Sequence, residues 1–139
     1  MTVTFERLDG RALEARCTVS VGPDEECILW HFSLRGSEPL ILEEVQFPVV
    51  VLRPLAGDAP GDAFVAGHVK GGLYRGPSRW RAGTALDFSQ PGPLAAQLGC
   101  YYDAGGGFYS ATRDGAGCPK GLDFRRTPSG LEYVWKRYC

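Results

Sequence analysis

Strict alternation between apolar and polar side chains is the feature of this chain that most restricts its fold. From Leu13 to Val21 the apolar positions are Leu13, Ala15, Cys17, Val19 and Val21, and polar side chains separate them. A period of two residues places the two sets on opposite faces of a β-strand, as in an antiparallel sheet with one buried face. The segment is therefore predicted to be a half-buried strand.

Further strands are predicted downstream of a turn at residues 22–26, which is rich in Gly, Pro and Asp. Residues 27–34 place four apolar side chains on one face: Ile28, Trp30, Phe32 and Leu34. A third strand is predicted to begin at Leu40 and to include residues 40–47. Pro48 lacks a backbone N–H group, so it predicts an edge strand or a bend for the apolar run that continues there.

The C-terminal third contains two predicted hairpins. Residues 97–102 and 108–112 flank the glycine-rich turn at 103–107, and residues 120–124 and 131–138 pair across 127–130. No segment sustains a helical period. The predicted fold class is therefore all-β, an antiparallel β-sandwich that is supersandwich-like and incomplete if the chain is a fragment.

Residues 53–93 differ from the rest of the chain. Short apolar segments, such as residues 64–66 and 72–74, are separated there by Gly, Pro and Asp. Long loops in compact domains are usually functional or disordered, and the aromatic residues Phe64, Tyr74, Trp80 and Phe88 favour order. We predict an irregular, ordered Pro/Gly-rich excursion with few regular strands.

The length and composition indicate one domain spanning residues 1–139. The 139 residues include 19 Gly and 10 Pro, with 44% apolar and 22% charged residues, which excludes a disordered tail and favours many short strands. A (β/α)₈ barrel requires about 250 residues, so a barrel enzyme would hold this chain only as an accessory part. The last predicted strand runs up to Cys139 without a polar tail, which favours a fragment of a longer enzyme.

Charge and hydropathy exclude two kinds of partner. The formal net charge of −1 leaves no cluster of basic residues for nucleic acid. The longest apolar run, residues 47–52, is far shorter than the ~20 residues that span a bilayer. The N-terminus lacks the basic and apolar regions of a signal peptide, which predicts a cytoplasmic protein as written, whereas a truncated N-terminus would leave the location unknown.

The five cysteines show no metal-binding spacing. None of the pairs formed by Cys17, Cys27, Cys100, Cys118 and Cys139 has two intervening residues, so no structural zinc site and no other metal site is predicted. Cys17 and Cys27 flank a turn and would face each other across a hairpin. Two small buried apolar residues are favoured over a disulfide between them.

Three catalytic arrangements fail on the residues present. His31 and His68 are the only histidines, and no G-x-S-x-G elbow accompanies them. Glu43 and Glu44 are adjacent on a predicted strand, so they point to opposite faces and cannot act as a glycosidase pair. The glycine-rich run at 115–121 lacks the spacing of a phosphate-binding loop. No cofactor is predicted.

A carbohydrate-contacting surface remains. Sugar rings stack on aromatic side chains, and their hydroxyls bind Asp, Arg and Gln. The candidate contacts are Tyr74 and Trp80 in the excursion, and Asp103, Arg113, Asp114 and Lys120 at the hairpin and the following turn. Packing against the core is the competing interpretation for the two aromatic residues, and a local turn pair is the competing interpretation for Arg113 and Asp114.

The same region carries a family resemblance. Gln97, then Tyr101-Tyr102-Asp103, then Gly106-Gly107-Phe108-Tyr109, then Ala111-Thr112-Arg113-Asp114 and Lys120 resemble the pattern Q…YYD…GGLYLATHD…K. That pattern occurs in bacterial glycoside hydrolase-like proteins of the DUF6259 kind. Upstream segments at residues 30–34, 45–48 and 87–92 resemble other strands of these proteins. The chain departs from the pattern at Phe108, Ser110 and Arg113.

The resemblance implies a galactose mutarotase-like β-supersandwich that precedes a catalytic barrel. The catalytic residues would lie on that barrel, so none is carried over, and the barrel and a carbohydrate are the implied partners. Two alternatives stay open: a free-standing carbohydrate-binding module, and a mutarotase-like isomerase that would need His31 or His68 beside Glu43 or Glu44. A half-sandwich would also expose strand edges, which predicts self-association.

Overall fold

The computed structural model describes residues 1–6, 12–22, 26–37, 39–55, 61–115 and 117–139. These residues form antiparallel strands and one short 3₁₀ turn. The all-β prediction is confirmed. The contacts divide the chain into two compact units, residues 1–42 and 43–139, where the sequence predicted one domain. No helix in the described ranges is long and apolar enough to cross a membrane.

The first unit is a three-stranded antiparallel sheet. Its strands are β1 (Thr2–Phe5), β2 (Leu13–Val21) and β3 (Ile28–Gly36), in the order β1-β2-β3. The predicted hairpin of β2 and β3 is confirmed. The alternating segment forms β2, which is the central strand of this sheet. Cys17 lies opposite Phe32 rather than Cys27, and both cysteines are free. Cys27 is exposed and lies just before β3, so its prediction as a buried apolar residue is wrong.

The second unit is a sandwich of two four-stranded antiparallel sheets. Its strands are β4 (Glu44–Leu52), β5 (Ala63–His68), β6 (Gly72–Arg75), β7 (Ala85–Gln90), β8 (Leu94–Tyr102), β9 (Gly107–Ala111), β10 (Lys120–Thr127) and β11 (Gly130–Tyr138). One sheet has the order β4-β11-β10-β7, and the other has the order β6-β5-β8-β9. Both predicted C-terminal hairpins are confirmed.

Aromatic side chains from both sheets form the core of the sandwich. The rings of Phe64 on β5 and Phe124 on β10 stack with centroids 4.0 Å apart and planes 1° apart. Tyr101 and Tyr133 join them, and all four residues have 0% relative exposure. Burying each such side chain stabilises the fold by roughly 1.5–3 kcal/mol. The alternation of β8, β10 and β11 thus supplies the apolar faces that hold the two sheets together.

Hydrogen bonds also join the two sheets. Ser110 on β9 donates its hydroxyl to Tyr133 on β11 over 2.6 Å, and the indole of Trp135 donates to Ser110 Oγ over 2.8 Å. Burial raises the pKa of Tyr133 well above its ordinary value. A side chain at Gly99 on β8 would meet the Tyr133 hydroxyl at 2.4 Å. Glycine at this position is therefore needed for the close approach of the sheets.

Pro48 lies where the sequence predicts an edge. Strand β4 is at the edge of its sheet and pairs only with β11. The register shifts between Val134 and Lys136, so Phe47 and Pro48 together lie opposite Trp135 in a bulge. The edge position tolerates a residue that has no N–H group to donate. The strand itself begins at Glu44, four residues later than predicted.

Three regular strands lie within residues 53–93, where the sequence predicted an irregular excursion with few regular strands. The structure places β5, β6 and β7 there, with a 3₁₀ turn at Pro77–Arg79. The apolar segments are too short for their period to be recognised alone, and the strands form because distant partners pair with them: β8 with β5, and β10 with β7. Residues 56–60 of the excursion lie outside the described residues.

Candidate functional site

A buried lysine lies at the centre of a cluster of polar side chains. Several residues of the pattern Q…YYD…GGLYLATHD…K meet in this cluster. Lys120, the first residue of β10, has 4% relative exposure. Its Nζ atom lies 2.7 Å from Asp114 Oδ2 and 3.2 Å from Gln97 Oε1. The hydroxyl of Thr112 donates to the same oxygen of Gln97. We call Gln97, Thr112, Asp114 and Lys120 the Lys120 cluster.

The fold brings this cluster together from both sheets. Gln97 on β8 lies opposite Thr112, whose amide donates to the Gln97 carbonyl over 3.0 Å. Lys120 lies on the facing sheet, between Gln90 of β7 and Arg137 of β11. Since β9 and β10 belong to different sheets, the residues between them cross from one sheet to the other. The cluster lies at both ends of that crossing.

The contacts of the cluster fit a role in fixing this crossing. Asp114 Oδ2 accepts from the Cys118 amide over 3.0 Å as well as from Lys120. The Asp114 side chain is 21% exposed and that of Lys120 is 5% exposed. A buried ammonium is tolerated only when it is paired and hydrogen-bonded. The carboxylate thus holds the loop and compensates the charge of Lys120 at once.

The other two predicted polar contacts lie apart from this cluster. Asp103 is in the hairpin turn between β8 and β9, where Oδ1 accepts the amides of Gly105 and Gly106 over 2.7 and 3.0 Å. This arrangement stabilises the turn. Arg113 is exposed. Of the predicted polar residues, the structure therefore unites Asp114 with Lys120 and leaves Asp103 in a turn.

Tyr74 and Trp80 pack against the sandwich core. Their rings meet edge to face at 6.4 Å, and Trp80 meets the ring of Phe124 edge to face at 6.0 Å. Both are half-buried. Packing, the competing interpretation, is what their contacts show, and a role in contacting sugar stays a prediction. Tyr74 lies on β6, and Trp80 follows the 3₁₀ turn.

Two exposed tyrosines were not among the candidate sugar contacts predicted from the sequence. Tyr102 and Tyr109 are 38% and 64% exposed. They belong to the outer side of the sheet β6-β5-β8-β9, which we call the apolar face, defined by Leu73, Val65, Leu98, Cys100, Tyr102, Tyr109 and Ala111. The alternation of residues 107–111, with Phe108 and Ser110 turned inward, is the signal that would have identified Tyr109.

The opposite side of the sandwich is charged. The outer side of β7, β10 and β11 carries Asp87, Asp123 and Lys136, and Lys136 Nζ lies 2.6 Å from Asp123 Oδ2 and 3.8 Å from Asp87 Oδ2. Arg125 pairs with Glu132 beside them. Burial raises the pKa of Asp123, against the lowering effect of Lys136. The hydrogen bond with Asp123 raises the pKa of Lys136.

A second buried carboxylate lies beside β8. Asp62 has 2% relative exposure. Its Oδ2 accepts from the Tyr101 hydroxyl over 2.9 Å and from the Ser78 amide over 3.0 Å, while the Leu55 amide donates to the same hydroxyl over 3.1 Å. Burial, the largest cause, and the neighbouring Asp62 carboxylate raise the pKa of Tyr101 to about 12.

Stability is expected to decrease at high pH because of Tyr101. An unfolded tyrosine loses its proton near pH 10, whereas folded Tyr101 keeps its proton to about pH 12. Between these values this residue lowers the free energy of unfolding by roughly 1.4 kcal/mol for each unit by which the pH rises. Denaturant titrations from pH 9 to 12 measure the slope, which Tyr101→Phe should reduce and Tyr102→Phe should leave unchanged. An unaltered slope in Tyr101→Phe would contradict the assignment.

The residues required for an isomerase do not meet in the described contacts. His68 packs its ring against Phe88 at 5.9 Å, and its Nδ1 accepts from the Lys70 amide. Glu44 accepts a hydrogen bond from Gln46. No three residues of the His, Cys, Asp and Glu types converge as a metal site within the described part of the chain.

The sequence and the structure were compared with those of known proteins. The chain matches no protein-family model, no curated protein and no solved structure.

Proposed function

We propose that this chain is a non-catalytic β-sandwich domain of a carbohydrate-active, glycoside hydrolase-like protein, and that it packs on a catalytic barrel elsewhere in a longer chain. The apolar face is the observation that carries the proposal. Among the described strand residues of that face, Arg75 at the end of β6 is the one that carries a charge. The opposite side of the sandwich bears a network of paired charges on β7, β10 and β11, with exposed valines confined to the edge strand β4.

This asymmetry is typical of a domain with one covered side. A continuous apolar surface on a soluble domain usually marks a contact with another protein surface. Leu73, Val65, Cys100 and Tyr109 lie side by side across all four strands of the sheet. Such a row suits the flat contact of a sandwich with a neighbouring domain.

The Lys120 cluster supports the carbohydrate-active part of the proposal. Four positions of the family-like pattern, which are scattered over residues 97–120, meet in this one group. Their contacts give the pattern a physical purpose, since they hold the crossing between the sheets. A structural purpose for these residues agrees with a domain whose catalytic residues lie elsewhere.

Reading the gene beyond the codon for Cys139 tests the proposal directly. We expect an open frame of about 250 further codons or more, enough for a barrel. The encoded barrel, produced separately, should bind the present chain, and Leu73→Asp should weaken that binding at least tenfold. Val49→Asp is the matched control, because Val49 is 50% exposed but lies on β4 of the other sheet. A stop codon without any neighbouring barrel gene would refute the proposal.

The exposed tyrosines favour one alternative, a free-standing carbohydrate-binding module. Tyr102 and Tyr109 present ring surface to solvent on the same side of one sheet, where a sugar ring can stack. In this case the chain alone would bind a glycan array, and Tyr109→Ala would abolish binding. Trp30→Ala would not, although Trp30 is also exposed, at 44%. An array without signal removes this alternative and leaves the first proposal standing.

A further inference from the structure

Strand β9 forms an open edge of the sandwich. It lies at the end of the order β6-β5-β8-β9, and among the described strands it pairs only with β8. Its sequence, Gly-Phe-Tyr-Ser-Ala, contains neither charge nor proline. Edge strands that avoid association usually carry charges, proline or bulges. The β9 edge has none of these protections.

The other three edges of the sandwich are protected. Strand β4 carries Glu44 and the bulge at Pro48, and β7 carries Asp87. Strand β6 has only four residues and ends at the charged Arg75. Within the sandwich, β9 is therefore the edge best suited to accept a further strand.

The register of β9 shows which of its backbone groups are available. The Thr112 amide donates to the Gln97 carbonyl, so Thr112 and Gln97 form a hydrogen-bonded pair. In an antiparallel ladder such pairs recur every second residue, which directs the backbone groups of Ser110 and Phe108 toward β8. The groups of Gly107, Tyr109 and Ala111 consequently point away from the sheet, and these three residues are exposed.

We propose that a second copy of this chain pairs with β9 along this edge, in an antiparallel dimer whose two-fold axis passes beside Tyr109. In this register Tyr109 faces Tyr109 of the other copy, and Gly107 faces Ala111. Every outward backbone group then meets a partner, which gives about six hydrogen bonds. The interface is isologous, as a closed dimer requires.

The side chains suit the same register. The two Tyr109 side chains would lie on the same side of the joined sheet as direct cross-strand neighbours, and aromatic pairs in this position are favourable. The row from Leu73 to Tyr109 would continue into the second copy. The result is one eight-stranded sheet, since each copy contributes four strands. The inference rests on the edge of β9 and is independent of the proposed function.

Introducing a charge at Tyr109, beside the two-fold axis, tests the dimer. In sedimentation equilibrium at micromolar concentrations, we expect the unaltered chain to have twice the 15.1 kDa mass of one chain. Tyr109→Lys and Tyr109→Glu, each alone, place like charges opposite one another and should raise the dissociation constant roughly tenfold or more. An equimolar mixture of the two variants should restore the dimer as a heterodimer.

Matched variants exclude other contacts. Leu73→Lys introduces the same charge on the same face but on the opposite edge, where Leu73 is 49% exposed, and it should leave the dimer intact. Thermal unfolding verifies that each variant is folded. A monomeric unaltered chain would overturn the proposal. So would a dimer that survives Tyr109→Lys but is lost in Trp30→Lys, which would place the contact on β3.

Discussion

Replacing Lys120 with methionine should lower the free energy of unfolding by about 3 kcal/mol. The Nζ atom of Lys120 lies 2.7 Å from Asp114 Oδ2, and the substitution removes this ammonium group from beside the carboxylate. Breaking one partner of a buried pair is costly because the other charge remains uncompensated. Denaturant unfolding at pH 7 measures the change.

The partner substitutions separate a structural role from a sugar-binding role. Asp114→Asn should cost a similar amount, and the double variant with Lys120→Met should cost less than the sum of the two, because neither charge is then left alone. Arg113→Met is the control, since this exposed neighbour should change stability by less than about 0.5 kcal/mol. If Lys120→Met also leaves stability within that range, the cluster does not hold the loop.

Gly99→Ala should destabilise the sandwich by about 3 kcal/mol. The added Cβ would lie 2.4 Å from the Tyr133 hydroxyl and 2.8 Å from Leu122 Cδ2, both at the centre of the core. Neither side chain can move freely, because Tyr133 is bonded to Ser110 and both residues have 0% exposure. Thermal or denaturant unfolding of the variant measures the loss.

A second substitution checks the cause of that loss. Tyr133→Phe removes the hydroxyl that the new Cβ meets first, so Gly99→Ala should be less harmful in this background than in the unaltered chain. Gly115→Ala serves as the matched control, because a Cβ there meets nothing within 4 Å. Additive effects of Gly99→Ala and Tyr133→Phe would contradict the proposed steric conflict.

Alternation and turn chemistry were enough to predict the hairpins. The segments 13–21 and 131–138 have long, regular patterns, and the structure places strands there. Strands β5 and β6 escaped prediction because a segment of four to six residues contains too few periods to be recognised. Strand β5 pairs with β8, which is distant in sequence, and β6 pairs with β5, so local patterns alone do not reveal the sheet.

The candidate site was predictable only in part. Asp114 and Lys120 were both named as candidates from the sequence, but the pair considered there was Arg113 with Asp114, and the contact of Asp114 with Lys120 was not predicted. The part played by Gln97 depends on the register between β8 and β9, which sets it opposite Thr112. Trp80 does lie outside the strands, at the end of the 3₁₀ turn, yet its ring contacts Phe124 in the core, which the sequence pattern does not reveal.

The positions of the tryptophans provide each unit with its own optical signal. Trp30 is 44% exposed in the first unit, whereas Trp135 is 4% exposed in the second and its indole N–H is bonded to Ser110. Trp135 should therefore emit at shorter wavelength than Trp30 in the native state. With Trp30→Phe, the red shift of the remaining emission during denaturation reports on the sandwich alone, so the cooperativity of the two units becomes measurable without any attached dye.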